Sequence, residues 1–175
     1  MLEAISKCVV IKSYVDANHA RNMANRRSHS GIIIYVNNSP IIWYSKPHNT
    51  FEASSFGSEF VAIRITTDLI ETLRYKLTCF GITEEVPAEV FRYNISVVKN
   101  SSIPTSALNK RHNSICYHRF REAQASGILR VGWIPGEFKM ADFFTKRTMP
   151  VNTRHSFVGL IFSNTASKVG DIEKA

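Results

Sequence analysis

Three carboxylates in this sequence stand where the surrounding pattern gives a globular fold little reason to keep a charge. Asp16 directly follows the β-branched, apolar run C-V-V-I-K-S-Y-V (8–15) and so reads as the residue that ends a strand. Ligands of open α/β sheets gather outside strand ends, although a turn or capping aspartate fits the same position equally well. Glu59 shares one helical row with Ala62, Ile63, Thr66, Leu69, Ile70 and Leu73. On that apolar row an ionised carboxylate requires a hydrogen-bond network or a cation; in a frayed first turn it would simply sit in water. Asp142 opens a helical run inside K-M-A-D-F-F-T-K (139–146). The helix dipole favours an acid there, and the same position also lets it face the cleft of the other two. Acids from a strand end and two helix starts, beside a basic surface, point to a hard divalent cation acting on a phosphodiester.

The overall charge agrees with such a substrate. Against 14 acidic residues stand 22 Lys and Arg, a net charge of +8, which favours a polyanionic partner, nucleic acid before an anionic membrane surface. Arg26 and Arg27, near Arg21, fall in a polar loop after the first strand. Lys110, Arg111 and Arg119, with Arg121, line a basic helical stretch over 107–125. Phosphate contacts from these residues would position a duplex without reading its sequence; the bland alternative is a solvated face. His112 and His118, six residues apart, share no helical face and do not make a metal pair. Trp43 and Tyr44 alternate along one strand, and Trp133 on the last strand reads as core.

The rest of the composition bounds the class. At 44% hydrophobic and 21% charged, the 175 residues suit one ordinary domain with a real core and exclude a disordered or collagen-like chain. Cys8, Cys79 and Cys116 are odd in number, widely spaced and set in apolar sequence. They read as buried structural thiols rather than a disulfide framework or a zinc site. No apolar run approaches the length of a membrane span, and the N-terminus lacks the pattern of a secretory signal. The expectation is a soluble, intracellular protein, cytoplasmic or nuclear and not secreted.

The elements that must position the acids follow from periodicity. Strands are predicted at 8–15, 31–36 and 41–45, the last two joined by the turn N-N-S-P, and a long helix runs from an N-cap at Ser54 or Ser55 to Gly81. Then come a strand at 89–93, a short helix at 95–99, the basic helix, the strand I-L-R-V-G-W-I (128–134) and a helix at 140–146. Antiparallel strands first, then strands alternating with helices, imply an α/β fold with a mixed sheet and helices on both faces.

Seven runs, in order, resemble one known family: Y-V-D-A-N-H-A (14–20), R-R-S-H-S-G (26–31), P-I-I-W-Y-S-K (40–46), A-S-S-F-G-S-E-F-V-A (53–62), L-R-Y-K-L (73–77), H-N-S-I-C-Y-H-R-F-R-E (112–122) and M-A-D-F-F-T-K (140–146). Together they are similar to the ribonuclease H domain at the C-terminal end of copia-type LTR retrotransposon polyproteins, across roughly residues 10–150. The resemblance implies a ribonuclease H-like fold, a five-stranded mixed sheet flanked by helices, over residues 10–147. Residues 1–9 are then a remnant N-terminal segment, and 148–175 a C-terminal tail with one short helix. It also implies Mg²⁺-dependent cleavage of the RNA strand of an RNA–DNA hybrid, with Asp16, Glu59 and Asp142 matching three of the family's four metal-holding acids.

The fourth acid is missing. The family's strand-end run is Phe-Cys-Asp-Asn, whereas this chain reads Phe91-Arg92-Tyr93-Asn94, so Tyr93 stands at the aspartate position. A phenol is neutral at pH 7 and a poor ligand for Mg²⁺, and Arg92 turns the neighbourhood cationic. Asn18 is a second departure, where the family often carries an acid. The expectation is a degenerate copy in which hydrolysis is strongly reduced or absent and metal binding is weakened. A non-catalytic nucleic-acid-binding module and a relict transposon fragment remain as alternatives.

Overall fold

The computed structural model describes residues 9–20, 26–52, 54–82, 84, 86–95, 98, 114–146 and 149–162. Five strands form one mixed sheet: β1 (Ile11–Asn18), β2 (His29–Val36), β3 (Ser39–Pro47), β4 (Ala88–Arg92) and β5 (Leu129–Trp133), in the spatial order β3-β2-β1-β4-β5. The β1–β2 and β2–β3 pairs are antiparallel, and β4 pairs in parallel with both β1 and β5. Among the described residues the sheet is flanked by the helices α1 (Ser55–Cys79), α2 (Ser114–Ala125), α3 (Asp142–Thr145) and α4 (Val151–Phe162), with a 3-10 turn at Gly136–Phe138.

The two faces of the sheet are both covered, which is why β2 carries the unbroken apolar run Ile32-Ile33-Ile34-Tyr35 rather than an alternation. On one face Val15, Ile32, Ile34 and Val90 pack with Phe60, Ile63 and Ile70 of α1 and Tyr117 and Phe120 of α2. On the other, Tyr14, Ile33, Tyr35 and Phe91 pack with Met140, Ala141 and Ile161. The edge strand β3 alternates exposed and half-buried residues, as one-sided burial requires. Helix α1 begins where the Ser54 hydroxyl accepts the Gly57 N–H at 3.1 Å. It ends before Gly81, whose φ of +75° suits glycine.

Several elements depart from the sequence reading. The first strand runs past Asp16 to Asn18, because β2 keeps pairing with it through Asn18 and His29; Asp16 is inside a strand, not at its end. Trp133 is not core: it stands 46% exposed at the end of edge strand β5, its indole N–H donating to the Tyr93 carbonyl at 3.0 Å. Cys79 is exposed in the last turn of α1 and Cys116 is half-buried, while Cys8 lies outside the described residues. The basic stretch is described only from Ser114, so Lys110, Arg111 and His112 also lie outside them, as does most of the short helix read at 95–99. Beyond residue 148 the twelve-residue α4 joins the core: Ile161 and Phe157 are buried, and the Tyr35 hydroxyl donates to the Ile161 carbonyl at 3.0 Å. Among the described residues no helix is long and apolar enough to cross a membrane.

Candidate functional site

The site is assembled by a close approach of α3 to the sheet. Asp16 pairs in register with Gly31 of β2. A Cβ on Gly31 would fall 2.6 Å from the Ala141 carbonyl oxygen and 2.7 Å from Thr145 Cγ2, so only glycine lets α3 sit directly over β1 and β2. From there the Thr145 hydroxyl donates to Asp16 Oδ2 at 2.7 Å, and the Ser45 hydroxyl ties β3 to the Phe144 carbonyl at 2.6 Å. Gly31→Ala is therefore expected to lift α3 off the sheet and lower stability by about 1–3 kcal/mol. Thermal unfolding of the variant measures this; an unchanged midpoint would remove glycine's stated role.

Asp16 and Asp142 meet on this face. Burial raises the pKa of Asp16; the Thr145 hydrogen bond opposes that rise, the charge of Asp142 adds to it, and Lys139 and Arg92 lower it. Asp142 itself is 5% exposed and pairs with Lys146 one helical turn on. Glu59 is not gathered with them: it stands on α1, against the opposite face of the sheet, where Arg92 meets it. This arginine ends β4, is 1% exposed, and is the largest fully buried side chain described. Its Nη2 pairs with the Glu59 carboxylate and its Nη1 donates to the Glu59 backbone carbonyl at 3.0 Å. Burial pushes the guanidinium pKa down, with Asp16 opposing, to about 9, so it stays charged at neutral pH.

Tyr93 occupies the mouth of the cleft. Its ring lies half exposed with the Lys139 ammonium 3.2 Å from the ring centroid, a cation–π contact. With Asp16, Tyr14, Ile134 and Ala141, these two side chains leave a cavity of only about 10 Å³, room for about one water. A hard divalent ion would need several anionic or carbonyl oxygens converging in octahedral geometry. Here Thr145, Arg92 and Lys146 already hold carboxylate oxygens, and no three His, Cys, Asp or Glu side chains among the described residues are gathered to hold an ion. The donor set does not fit Mg²⁺ or Mn²⁺.

The predicted phosphate ligands are scattered. Arg26 is exposed, with a positive φ of 51°. Arg27 is half-buried and lies over the Phe51 ring at 5.6 Å. Arg119 pairs with Glu71, and with Glu122 at 3.6 Å and Asp68 at 3.9 Å, so its charge is met in the contact between α1 and α2. Sequence reasoning missed Lys139, Thr145, Lys146 and Gly31. Of these, only Lys146 carried a signal, its i,i+4 spacing from Asp142.

No protein-family model matches the chain. It is 28% identical over 160 residues to the retrovirus-related Pol polyprotein from transposon RE1 of Arabidopsis thaliana, covering 91% of this chain and 10% of that protein. It is 26% identical over 163 residues to the corresponding polyprotein from transposon RE2 of the same plant, covering 93% and 11%. The chain thus spans about a tenth of the length of these relatives. Among solved structures it is similar to LC11-RNase H1, isolated from compost by a metagenomic approach, at a TM-score of 0.60 and 15% identity over 76% of this chain and 90% of that one. LC11-RNase H1 has also been solved in complex with an RNA/DNA hybrid. The N-terminal RNase H domain of a Mycobacterium tuberculosis protein superimposes at a TM-score of 0.56 and 14% identity over 86% and 96%. The chain is an α/β domain of ribonuclease H-like fold, homologous to a segment of the retrovirus-related Pol polyproteins of transposons.

Proposed function

We propose that this is the ribonuclease H-like domain of a copia-type element and that it binds RNA–DNA hybrid or duplex nucleic acid while cleaving it very slowly or not at all. The observation that carries the reading is Tyr93: at the position where the resemblance expects an aspartate, a phenol ring stacked under Lys139 fills the cleft beside Asp16. Divalent-ion binding is correspondingly weak. Metal stabilisation of a phosphoryl transition state contributes several kcal/mol, so its loss lowers hydrolysis by orders of magnitude. Binding is less affected, since it rests on the net charge of +8 and on phosphate contacts rather than on the cleft.

Two measurements test this. Affinity for a hybrid is expected to fall steeply with salt, and Arg26→Ala with Arg27→Ala is expected to reduce the slope of log K against log salt by about two. Binding indifferent to salt would remove the nucleic-acid reading. In a cleavage assay with Mg²⁺ or Mn²⁺, robust turnover that disappears on Asp16→Asn would remove the claim of impairment and leave the fold untouched.

A further inference from the structure

We infer that the Arg92 guanidinium is a built-in counter-ion for Glu59 and Asp16, a covalently attached cation standing in for a divalent metal, so that the domain is assembled without one. The inference rests on the ribonuclease H-like reading of the site and deepens it. Each acid already has a cation: Arg92 pairs with Glu59, Lys146 pairs with Asp142, and Lys139 and Arg92 both act on Asp16. A buried guanidinium is costly unless paired and hydrogen-bonded. Arg92 gains both from Glu59, joining β4 to α1, and its field reaches Asp16 as well. Its Nε has no hydrogen-bond partner among the described residues, so the guanidinium is held by these charges rather than by a complete hydrogen-bond set.

One consequence separates this inference from a simple missing-ligand account. A dication entering the site would meet acids that already have cation partners, and would have to break the Arg92–Glu59 pair to reach Glu59. Supplying the absent carboxylate alone, Tyr93→Asp, therefore leaves the competing cation in place. Both changes are needed: the missing acid must be supplied and the resident charge removed.

The test is thermal unfolding of the whole chain, with and without millimolar Mg²⁺ or Mn²⁺, because an ion that binds only the folded state raises the midpoint. Wild type and Tyr93→Asp are expected to shift by less than about 1 °C, and Arg92→Cys with Tyr93→Asp by several degrees. Arg92→Met with Tyr93→Asp, which keeps more of the packing volume, replaces the latter where it does not fold. A shift of several degrees in wild type, an equal shift in Tyr93→Asp alone, or none in either double variant would each overturn the role of Arg92. Hybrid affinity measured on the same proteins reports separately on the nucleic-acid reading, since loss of metal response does not touch phosphate contacts outside the cleft.

Discussion

Arg92→Ala is expected to lower the unfolding free energy by about 3–5 kcal/mol, the largest effect of any substitution at the site. The truncation leaves the Glu59 carboxylate, whose side chain is 12% exposed, facing the core without its cation, and removes one of the charges that stabilise ionised Asp16. It also opens a cavity where the buried guanidinium meets Glu59 of α1. Replacing both partners is a different matter. Arg92→Met with Glu59→Leu exchanges the ion pair for apolar volume and is expected to cost less than about 1.5 kcal/mol, or nothing. The difference between the double variant and the sum of the singles isolates the coupling. Urea midpoints at constant slope measure the wild type, Arg92→Ala, the singles Arg92→Met and Glu59→Leu, and the double variant. A single truncation costing under about 1 kcal/mol would show that the buried pair does not hold α1 to β4.

The sheet and α1 were legible because their signals are local. Ser54 and Gly81 bracket a helical row, and the N-N-S-P turn joins two β-branched runs. Glu59 was legible too, as a charge on an apolar row that demanded a partner. What the row does not contain is the partner's identity: Arg92 lies 33 residues on in another element, and only parallel pairing of β4 with β1 brings it under α1. Arg119 shows the same point in reverse. As part of a basic stretch it reads as free charge, but packing of α2 on α1 delivers Glu71 and Asp68 to it. Trp133 read as core from its apolar run, yet an edge strand's last residue has no neighbour beyond it. Arg92 is thus a product of long-range pairing, whereas the site's anions, and Lys146 beside Asp142, are marked by local pattern.

Acid is expected to destabilise the domain well above the range where carboxylates titrate, through His48. This ring is 3% exposed; its Nε2 meets the Ser30 hydroxyl at 2.6 Å, and its Nδ1 has no hydrogen-bond partner among the described residues. Burial, with His29 and His19 adding their charge, pushes its pKa down to about 4. The unfolded chain takes up that proton near pH 6.5, the folded chain only near 4. Between these limits the unfolded state binds more protons, so stability is complete above about pH 6.5 and falls by about 2–3 kcal/mol as the pH approaches 4. Asp16 and Glu84 act with the opposite sign. Burial raises both, so the folded state takes up their protons first and recovers part of the loss at the acid end. The net expectation is a midpoint falling by roughly 5–10 °C across the window. His48→Gln, which keeps a hydrogen-bonding group for Ser30 but carries no titrating ring, should flatten that slope. A variant as acid-sensitive as the parent would move the cause to His19, His29 or the carboxylates and leave His48 a packing residue only.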